Sequence, residues 1–289
     1  MRKQKERNSI VIIVAYVVLG IISFMCIAPV VLMAVASLTD NDVLNLYGYT
    51  YFPQKWSLEA YEFLIKQGTV ISKSFLNSVL VTFMGTALGI MVTVLLAYTI
   101  SRKELVGRKL IMLFVFFTML FNGGMVPTYL MYTQIFHIKN TMWALLFPHL
   151  LVNGFNVLLV RTFFNENIPE VLLEAARIDG AGEISIFRNV VLPISKPILA
   201  TIGLLVGVGY WNDWYNGLLY LTNTKLFSLQ NYLNRILLDI QFMTQSMAGS
   251  AEAANALGKM PTITVRMAIA VIGILPLMII FPFFQSYFA

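Results

Sequence analysis

Six long apolar segments separated by polar stretches dominate the pattern of this chain. They cover residues 10–36, 74–100, 109–133, 141–162, 198–220 and 263–285. Each exceeds the ~18 apolar residues that a helix needs to cross a bilayer, and none shows the short alternating segments of a transmembrane β-barrel. The pattern therefore predicts an all-α membrane protein with six transmembrane helices, which form a single domain over residues 1–289.

Composition supports this class. The 289 residues are 58% hydrophobic and 12% charged, whereas a soluble domain carries about 25% charged residues. The first apolar run is much longer than the ~7–15-residue core of a signal peptide, and no clear A-x-A cleavage site follows it, so we expect a retained first span. The single cysteine, Cys26, cannot form an intrachain disulfide.

Basic residues indicate the orientation of the spans. Twelve of the 20 Lys and Arg residues lie at the N-terminus and in the loops after the second and fourth spans, and the other eight are spread over longer segments. Because cytoplasmic loops carry the excess of basic residues, both termini and the loop 163–197 are expected in the cytoplasm. The loops 37–73 and 221–262 are expected outside, and the aromatic residues of the first loop fit an interfacial belt.

The cytoplasmic loop 163–197 is a polar stretch with the signals of two short helices. Pro169 suits the first turn of a helix, where its missing N–H needs no partner. Gly180 can end that helix because glycine adopts the left-handed conformation at little cost. A second helix is expected over about 183–190, and Pro193 is expected to stop it.

The first of these helices has the features of a docking surface. Ala175 and Ala176 keep one side low, so that another protein can approach closely, and Glu174, Arg177 and Asp179 add charge around them. An amphipathic connector packed on its own bundle explains the same pattern. Spacing alone leaves both interpretations open.

This loop carries a resemblance to a known family. Its spacing of Glu-Ala-Ala, Gly, a branched aliphatic residue and Leu-Pro resembles the signature of the membrane subunits of bacterial ABC importers. The matching residues are Glu174, Ala175, Ala176, Gly180, Val190, Leu192 and Pro193. Valine at 190, in place of the commoner isoleucine, is a mild departure.

The resemblance extends over nearly the whole chain. The six-span layout is similar to the carbohydrate-importer permeases related to the maltose system, and the stretches 121–129 and 211–214 are similar to the subgroup linked to oligo- and polysaccharide uptake. It implies that Glu174–Gly180 is a coupling helix seated in a cleft of an ATPase subunit. It also implies that the chain lies in the lipid bilayer of the bacterial cell membrane. Its implied partners are a second homologous permease, two ATP-binding subunits, an extracellular solute-binding protein and a carbohydrate substrate.

Two further regions are interpreted through the same resemblance. In maltose-type systems one permease inserts a loop between its last two spans into the binding protein, and Gln245–Lys259 occupies the matching place. A flexible surface loop remains an open alternative. Relatives end in a short basic tail, whereas this sequence ends at Gln285–Ala289, so an ATPase contact made by such a tail is in doubt here.

No catalytic, cofactor or metal site is expected in this chain. The phosphate-binding spacing Gly-x4-Gly-Lys-Ser/Thr is absent from the sequence, so ATP and Mg²⁺ are expected on the partner ATPase. The two histidines, His137 and His149, are far apart and lack cysteine partners. For His149 a packed, hydrogen-bonded side chain is the favoured interpretation.

Polar residues inside the apolar segments are candidates for a substrate pathway, because burying them in lipid is costly. The tentative pathway residues are Trp211, Asn212, Asp213, Trp214, Asn122 and Asn156. Aromatic faces would stack on sugar rings, and Asn and Asp would bond to hydroxyl groups. Hydrogen bonding between helices, which fixes the bundle, is the alternative. The pairs Gly85/Gly89 and Gly203/Gly207 are typical of close helix packing.

The sequence thus predicts the permease subunit of an ATP-driven importer, which translocates an oligosaccharide by alternating access. An ion-coupled secondary transporter is one alternative, although few buried ionisable groups beyond Asp213 are available for it. A membrane scaffold that only anchors a cytoplasmic partner is another. The sequence does not identify the sugar, the ATPase, or which of the two permeases contacts the substrate.

Overall fold

The computed structural model describes residues 2–66, 68–246 and 262–285, with side chains described for 12–66, 68–242 and 263–282. Within these ranges the chain is almost entirely helical, apart from one isolated antiparallel bridge between Thr39 and Trp56. The predicted all-α class is confirmed. Most of the stretch 245–259, for which a contact with the binding protein and a flexible surface loop were both left open, lies outside the described residues.

Fifteen helices can be followed through the described ranges. They are α1 (Arg2–Ser37), α2 (Asn41–Tyr47), α3 (Glu59–Lys66), α4 (Gly68–Ser101), α5 (Arg108–Leu120), α6 (Met125–Leu130), α7 (Trp143–Leu146), α8 (Gly154–Asn167), α9 (Glu170–Ile178), α10 (Glu183–Ile186), α11 (Leu192–Ile194), α12 (Lys196–Trp211), α13 (Tyr215–Tyr220), α14 (Leu229–Ser246) and α15 (Thr262–Gln285). Wider π-helical turns follow α6 and α10, at Met131–Ile135 and Phe187–Val191.

The chain divides into two compact units, Met1–Thr69 with Ile236–Leu275 and Val70–Arg235 with Pro276–Ala289. In the first, residues 12–27 of α1 are all exposed, whereas Ala36 and Ser37 at its end are buried. Asp40 caps α2 by accepting a hydrogen bond from the Asp42 N–H at 3.1 Å, and its other carboxylate oxygen lies 2.6 Å from Lys55 Nζ. The second unit contains both groups of site residues, which are described below.

Three helices in the described part of the chain are long and apolar enough to cross a membrane: Ile12–Ser37, Gly68–Ser101 and Ile263–Pro282. Two bent pairs raise the number to five if each pair is one span. Arg108–Leu120 and Met125–Ile135 meet at 116°, and Glu183–Ile194 and Lys196–Trp211 meet at 81°. Helix bounds show in addition that the third, fourth and fifth predicted spans are each interrupted, between α5 and α6, between α7 and α8, and between α12 and α13.

Polar and turn-forming residues cause these three breaks. Gly124 adopts φ +84° between α5 and α6. Pro148, which has no N–H to donate to a helix, precedes His149 at φ +62° between α7 and α8. Between α12 and α13, Asp213 Oδ1 accepts a hydrogen bond from the Asn216 N–H at 3.1 Å and so helps to start α13.

Close packing of α4 on α12 organises the core of the second unit. A Cβ atom on Gly85 would lie 2.5 Å from the Tyr210 ring, which leaves no room for a side chain, and one on Gly89 would lie in tight contact with Val206 Cγ1 at 3.0 Å. The buried Tyr210 hydroxyl donates a hydrogen bond to the Leu146 carbonyl oxygen at 2.7 Å. The predicted close packing at these two glycines is confirmed.

Candidate functional site

The predicted coupling helix is α9, and its two ends are formed by local backbone chemistry. Pro169 occupies the position before the first helical residue. At the other end Gly180 adopts φ +79°. Its N–H bonds to the Arg177 carbonyl oxygen and the Ala181 N–H bonds to the Ala176 carbonyl oxygen, both at 3.0 Å. These two bonds form a Schellman motif, which needs a left-handed residue where Gly180 stands.

The two faces of α9 differ in exposure. Leu173 is 5% exposed, and Ala176 is partly buried against the same core. The opposite face is open: Val171 is 71% and Ile178 is 87% exposed, and Ala175 is exposed between them. Residues three and four apart share one side of a helix, so these three form a continuous apolar stripe. Glu174 and Asp179, also exposed, border the stripe.

The second predicted helix of the loop 163–197 is longer than expected. The helix was expected to end near residue 190, but helical turns extend to Ile194. The π-helical turn allows this, because the Leu192 N–H bonds to the Phe187 carbonyl oxygen and Pro193 then falls in the first turn of α11, where its missing N–H costs little. Pro193 therefore does not stop the helix, and the chain instead bends at Ser195, before α12 begins.

Arg177 of α9 is bonded to charged and polar side chains of other segments. We call this group the Arg177 cluster: Arg177, Glu104, Glu183 and Tyr98. Arg177 Nη1 and Nη2 donate to the two carboxylate oxygens of Glu104 at 2.8 and 3.3 Å. Arg177 Nε and Nη2 donate to Glu183 Oε1 at 3.2 and 2.9 Å. The other Glu183 oxygen accepts a hydrogen bond from the Tyr98 hydroxyl at 2.7 Å.

These contacts shift the ionisation of the cluster. The hydrogen bonds from Arg177 lower the pKa of the Glu104 carboxyl. The hydrogen bond from Tyr98, together with those from Arg177, lowers the pKa of Glu183. Both glutamates are thus held ionised, and the same contacts raise the pKa of Arg177. Arg177 was predicted to add charge to the docking surface, whereas its guanidinium is engaged within the chain.

The second group of site residues surrounds a cleft of about 390 Å³ where the three helix breaks meet. The cleft is lined by Asn122, Gly124, Met125, His149, Leu150, Asp213, Tyr215 and Asn216. Asn216 Nδ2 donates to the Pro148 carbonyl oxygen at 3.0 Å and so joins two of the breaks. Neither Asp213 Oδ2 nor Asn216 Oδ1 has a hydrogen-bond partner in the described part of the chain.

The six tentative pathway residues are not all at this cleft. Asn122 and Asp213 line it, but Trp211, which is 4% exposed, packs edge-on against Phe75 at 5.9 Å. Asn156 is buried on α8 at 7% exposure. Exposed Asn212 ends α12, and Trp214, which is 43% exposed, packs against Tyr215.

Several residues of both groups were not found from the sequence. His149 was expected to be packed, which is wrong: its left-handed backbone leaves it exposed at the cleft. Glu104 showed no local signal, since it is 73 positions from Arg177 along the chain, and Tyr98 is further away still. Glu183 is only 6 positions from Arg177, but the two were not paired from the sequence. Asn216 did show one, because it is a polar residue inside an apolar segment.

A helical chain with candidate membrane spans, a capped pair of helices beyond them and no described sheet has the architecture of a membrane-embedded transport subunit. The family described as "Binding-protein-dependent transport system inner membrane component" matches residues 85–289. The chain belongs to this family, which confirms the resemblance found in the sequence. It is therefore a permease subunit in the inner membrane.

Individual relatives agree with this assignment. The polygalacturonan/rhamnogalacturonan transport system permease protein YtcP of Bacillus subtilis is 34% identical over 98% of this chain and 96% of its own length. The melibiose/raffinose/stachyose import permease protein MelC of the same organism is 30% identical over 75% and 73%. A crystal structure of a bacterial ABC transporter involved in the import of the acidic polysaccharide alginate matches with a TM-score of 0.80 and 29% identity over 96% of both chains.

Proposed function

We propose that this permease subunit imports a carbohydrate, specifically an oligosaccharide delivered by an extracellular binding protein. The support is the pair of matches that cover nearly the whole chain, one to a polygalacturonan/rhamnogalacturonan permease and one to an alginate importer. Both names refer to polymers of acidic sugars, so short uronic-acid oligosaccharides are the first substrates to test. Neutral oligosaccharides are the second group, since the relative MelC is named for them.

The energy for import comes from separate ATPase subunits, and a second homologous permease completes the membrane part. The absence of a phosphate-binding spacing in the sequence supports this division. Both termini and the α9–α11 element face the cytoplasm, where ATP is available. The excess of Lys and Arg at the N-terminus and in the loops around 102–109 and 163–197 supports that orientation.

The ATPase docks on the exposed face of α9. Its apolar stripe, Val171, Ala175 and Ile178, is flanked by acidic Glu174 and Asp179. A small side chain at Ala175 lets a partner approach the helix closely, and the acidic rim suits basic groups on that partner. The exposure of this stripe, on a helix whose opposite face is packed, is the observation on which the proposed coupling rests.

The cleft at the three helix breaks forms part of the substrate pathway. At 1.5 Å per residue the 13 residues of α5 and the 16 of α12 extend about 20–24 Å from their cytoplasmic ends. The breaks therefore lie in the outer part of a hydrocarbon core about 30 Å thick. Irregular backbone at such a depth is tolerated where it lines a cavity, and the polar residues Asn122, Asp213 and Asn216 line this one.

Reconstitution tests the proposal. The chain is placed in proteoliposomes with its partner permease, ATPase and binding protein, and uptake of radiolabelled trigalacturonate, an alginate trisaccharide and raffinose is measured with and without ATP. We expect ATP-dependent uptake of at least one of them. Uptake that continues without ATP but collapses with an ionophore would indicate a secondary transporter, and a stable complex that transports none of them would indicate a scaffold.

A further inference from the structure

Arg177 lies at the junction of three segments, two of which are neighbours in sequence and the third of which is distant from both. It belongs to α9, its bidentate partner Glu104 belongs to the loop 102–107 between α4 and α5, and its second partner Glu183 begins α10. Through Glu183 the contacts reach Tyr98 in the last turn of α4. One guanidinium therefore links the coupling element to the ends of two candidate membrane helices.

Few other contacts hold α9 in place. Leu173 is the one residue of this nine-residue helix that is buried, so little apolar area opposes its displacement. By contrast, Arg177 uses three nitrogens in four hydrogen bonds to two carboxylates. Bidentate, charge-assisted bonds fix direction as well as distance, which single exposed ion pairs do not.

A single ion pair between α9 and the loop 102–107 can be compared with the contacts of Arg177. Lys103 of the loop 102–107 and Glu170 of α9 also form an ion pair, with Nζ 2.8 Å from a carboxylate oxygen. Glu170 is 54% exposed, which is comparable to Glu104 at 59% and Glu183 at 53%, so the difference is that Lys103 makes a single bond. Such a pair contributes little to rigidity, so Lys103 is a matched control for Arg177.

We propose that Arg177 is a positioning residue that makes α9, α10 and the loop 102–107 move as one body. A displacement imposed on α9 then reaches α4 and α5 through Glu104 and Glu183, and does not depend only on the chain connections of α9. The source of the displacement, an ATPase on the opposite face of α9, rests on the proposed function. The linkage itself is a property of this chain and can be tested without it.

The distance between the loop and the coupling element measures this linkage. Spin labels are placed at Val106, which is 96% exposed in the loop, and at Arg188, which is exposed after α10, in a Cys26→Ala background. We call them the loop–helix label pair. The full chain is studied in nanodiscs, alone and with its ATPase, and each sample is measured without nucleotide and with MgATP and vanadate.

We expect a narrow distance distribution that does not change with nucleotide. Arg177→Ala and Glu104→Ala should each broaden it, and the double variant should be no broader than Arg177→Ala alone, because that substitution already removes the Glu104 contact together with the Glu183 contact. Arg177→Lys keeps the charge but not the bidentate geometry, so its distribution should be wider than that of the unsubstituted chain and narrower than that of Arg177→Ala. Lys103→Ala should match the unsubstituted chain. In the reconstituted complex, sugar uptake per ATP should fall on the order of fivefold in Arg177→Ala and in Glu104→Ala.

Three results would overturn the proposal: an unchanged distribution in Arg177→Ala, equal broadening in Lys103→Ala, or a nucleotide-dependent distance in the unsubstituted chain. Loss of coupling in Arg177→Ala but not in Glu104→Ala would instead show that Arg177 contacts the ATPase directly, which also contradicts it. If no ATPase binds the chain, the proposed function fails, while the comparison of distribution widths in the chain alone still tests the linkage.

Discussion

Substitution of Gly180 separates the conformational requirement at the end of α9 from packing. The residue has φ +79°, and a Cβ atom built there meets no atom within 4 Å. A side chain at this position therefore costs only the left-handed conformation, about 1–2 kcal/mol for a residue other than glycine. A β-branched residue has the least tolerance for it, so Gly180→Val is the informative variant.

The strain is relieved by opening the Schellman hydrogen bonds, in which the Gly180 and Ala181 amides take part. A cost of about 1–2 kcal/mol corresponds to roughly 5- to 30-fold more opening. We expect hydrogen exchange of the Ala181 amide to accelerate by that factor, as measured by mass spectrometry on peptides that cover 170–182. Uptake per ATP should fall in the same variant, because the docking helix loses its last turn.

Two variants control this measurement. Gly180→Asn should accelerate exchange less, since asparagine tolerates the left-handed conformation. Gly182→Ser should have no effect, because Gly182 has φ −70° and equally open surroundings, and serine is a favoured residue before a helix. Native exchange in Gly180→Val, or equal acceleration in Gly182→Ser, would refute the reasoning.

Three further predictions concern other parts of the second unit. Gly154→Ala should cost about 1–3 kcal/mol of stability, measured as a lower Tm, because its Cβ would lie 2.6 Å from Met119 Cγ. Lowering the pH below 4.5, the ordinary pKa of a glutamate, should broaden the distance distribution of the loop–helix label pair. The pKa of Glu104 is lowered in the folded chain, so its ionised form stabilises the fold above pH 4.5, and this contribution is lost as the pH falls through the lowered pKa. Asp213→Ala should reduce sugar uptake at unchanged complex yield, if the cleft carries substrate.

Each of these has its own control. Gly209→Ala should be tolerated, since its Cβ would lie 3.7 Å from Leu150, and a normal Tm for Gly154→Ala would contradict the packing argument. The distance distribution of the label pair should broaden less on acidification in Glu104→Gln than in the native chain. Equal broadening would show that Glu104 is not the titrating group. Asp213→Asn keeps the side-chain oxygen that accepts the hydrogen bond at the start of α13. Full sugar uptake in Asp213→Asn, together with a low yield of the complex in Asp213→Ala, would show that Asp213 serves packing.

The sequence predicted features that depend on local chemistry. The apolar segments, the Pro169–Gly180 boundaries of α9 and the close packing at Gly85 follow from residues near one another or from helical spacing. Hydropathy did not show that three segments are broken, because the polar residues responsible are few and are averaged with apolar neighbours over a long window. Asn122 and Asp213 were noticed as polar, but their role in turning the backbone was not.

Contacts between distant segments could not be predicted. The pairing of Arg177 with Glu104 depends on the fold bringing the loop 102–107 beneath α9, and a single sequence contains no signal for that approach. For the same reason the sequence did not show which face of α9 packs on the chain and which is exposed. The packing of Leu173 and the engagement of Arg177 leave the stripe that contains Ala175 exposed.

The central claim is that energy enters this chain through the exposed face of α9, and site-specific cross-linking tests it most directly. A photoreactive amino acid is placed at Ala175 in the assembled importer, with Leu58, which is 60% exposed in the predicted outer loop, as the control position. We predict that Ala175 cross-links to the ATPase subunit and that Leu58 does not. An active complex in which Ala175 gives no cross-link to the ATPase, or in which Leu58 gives an equal one, would contradict the account.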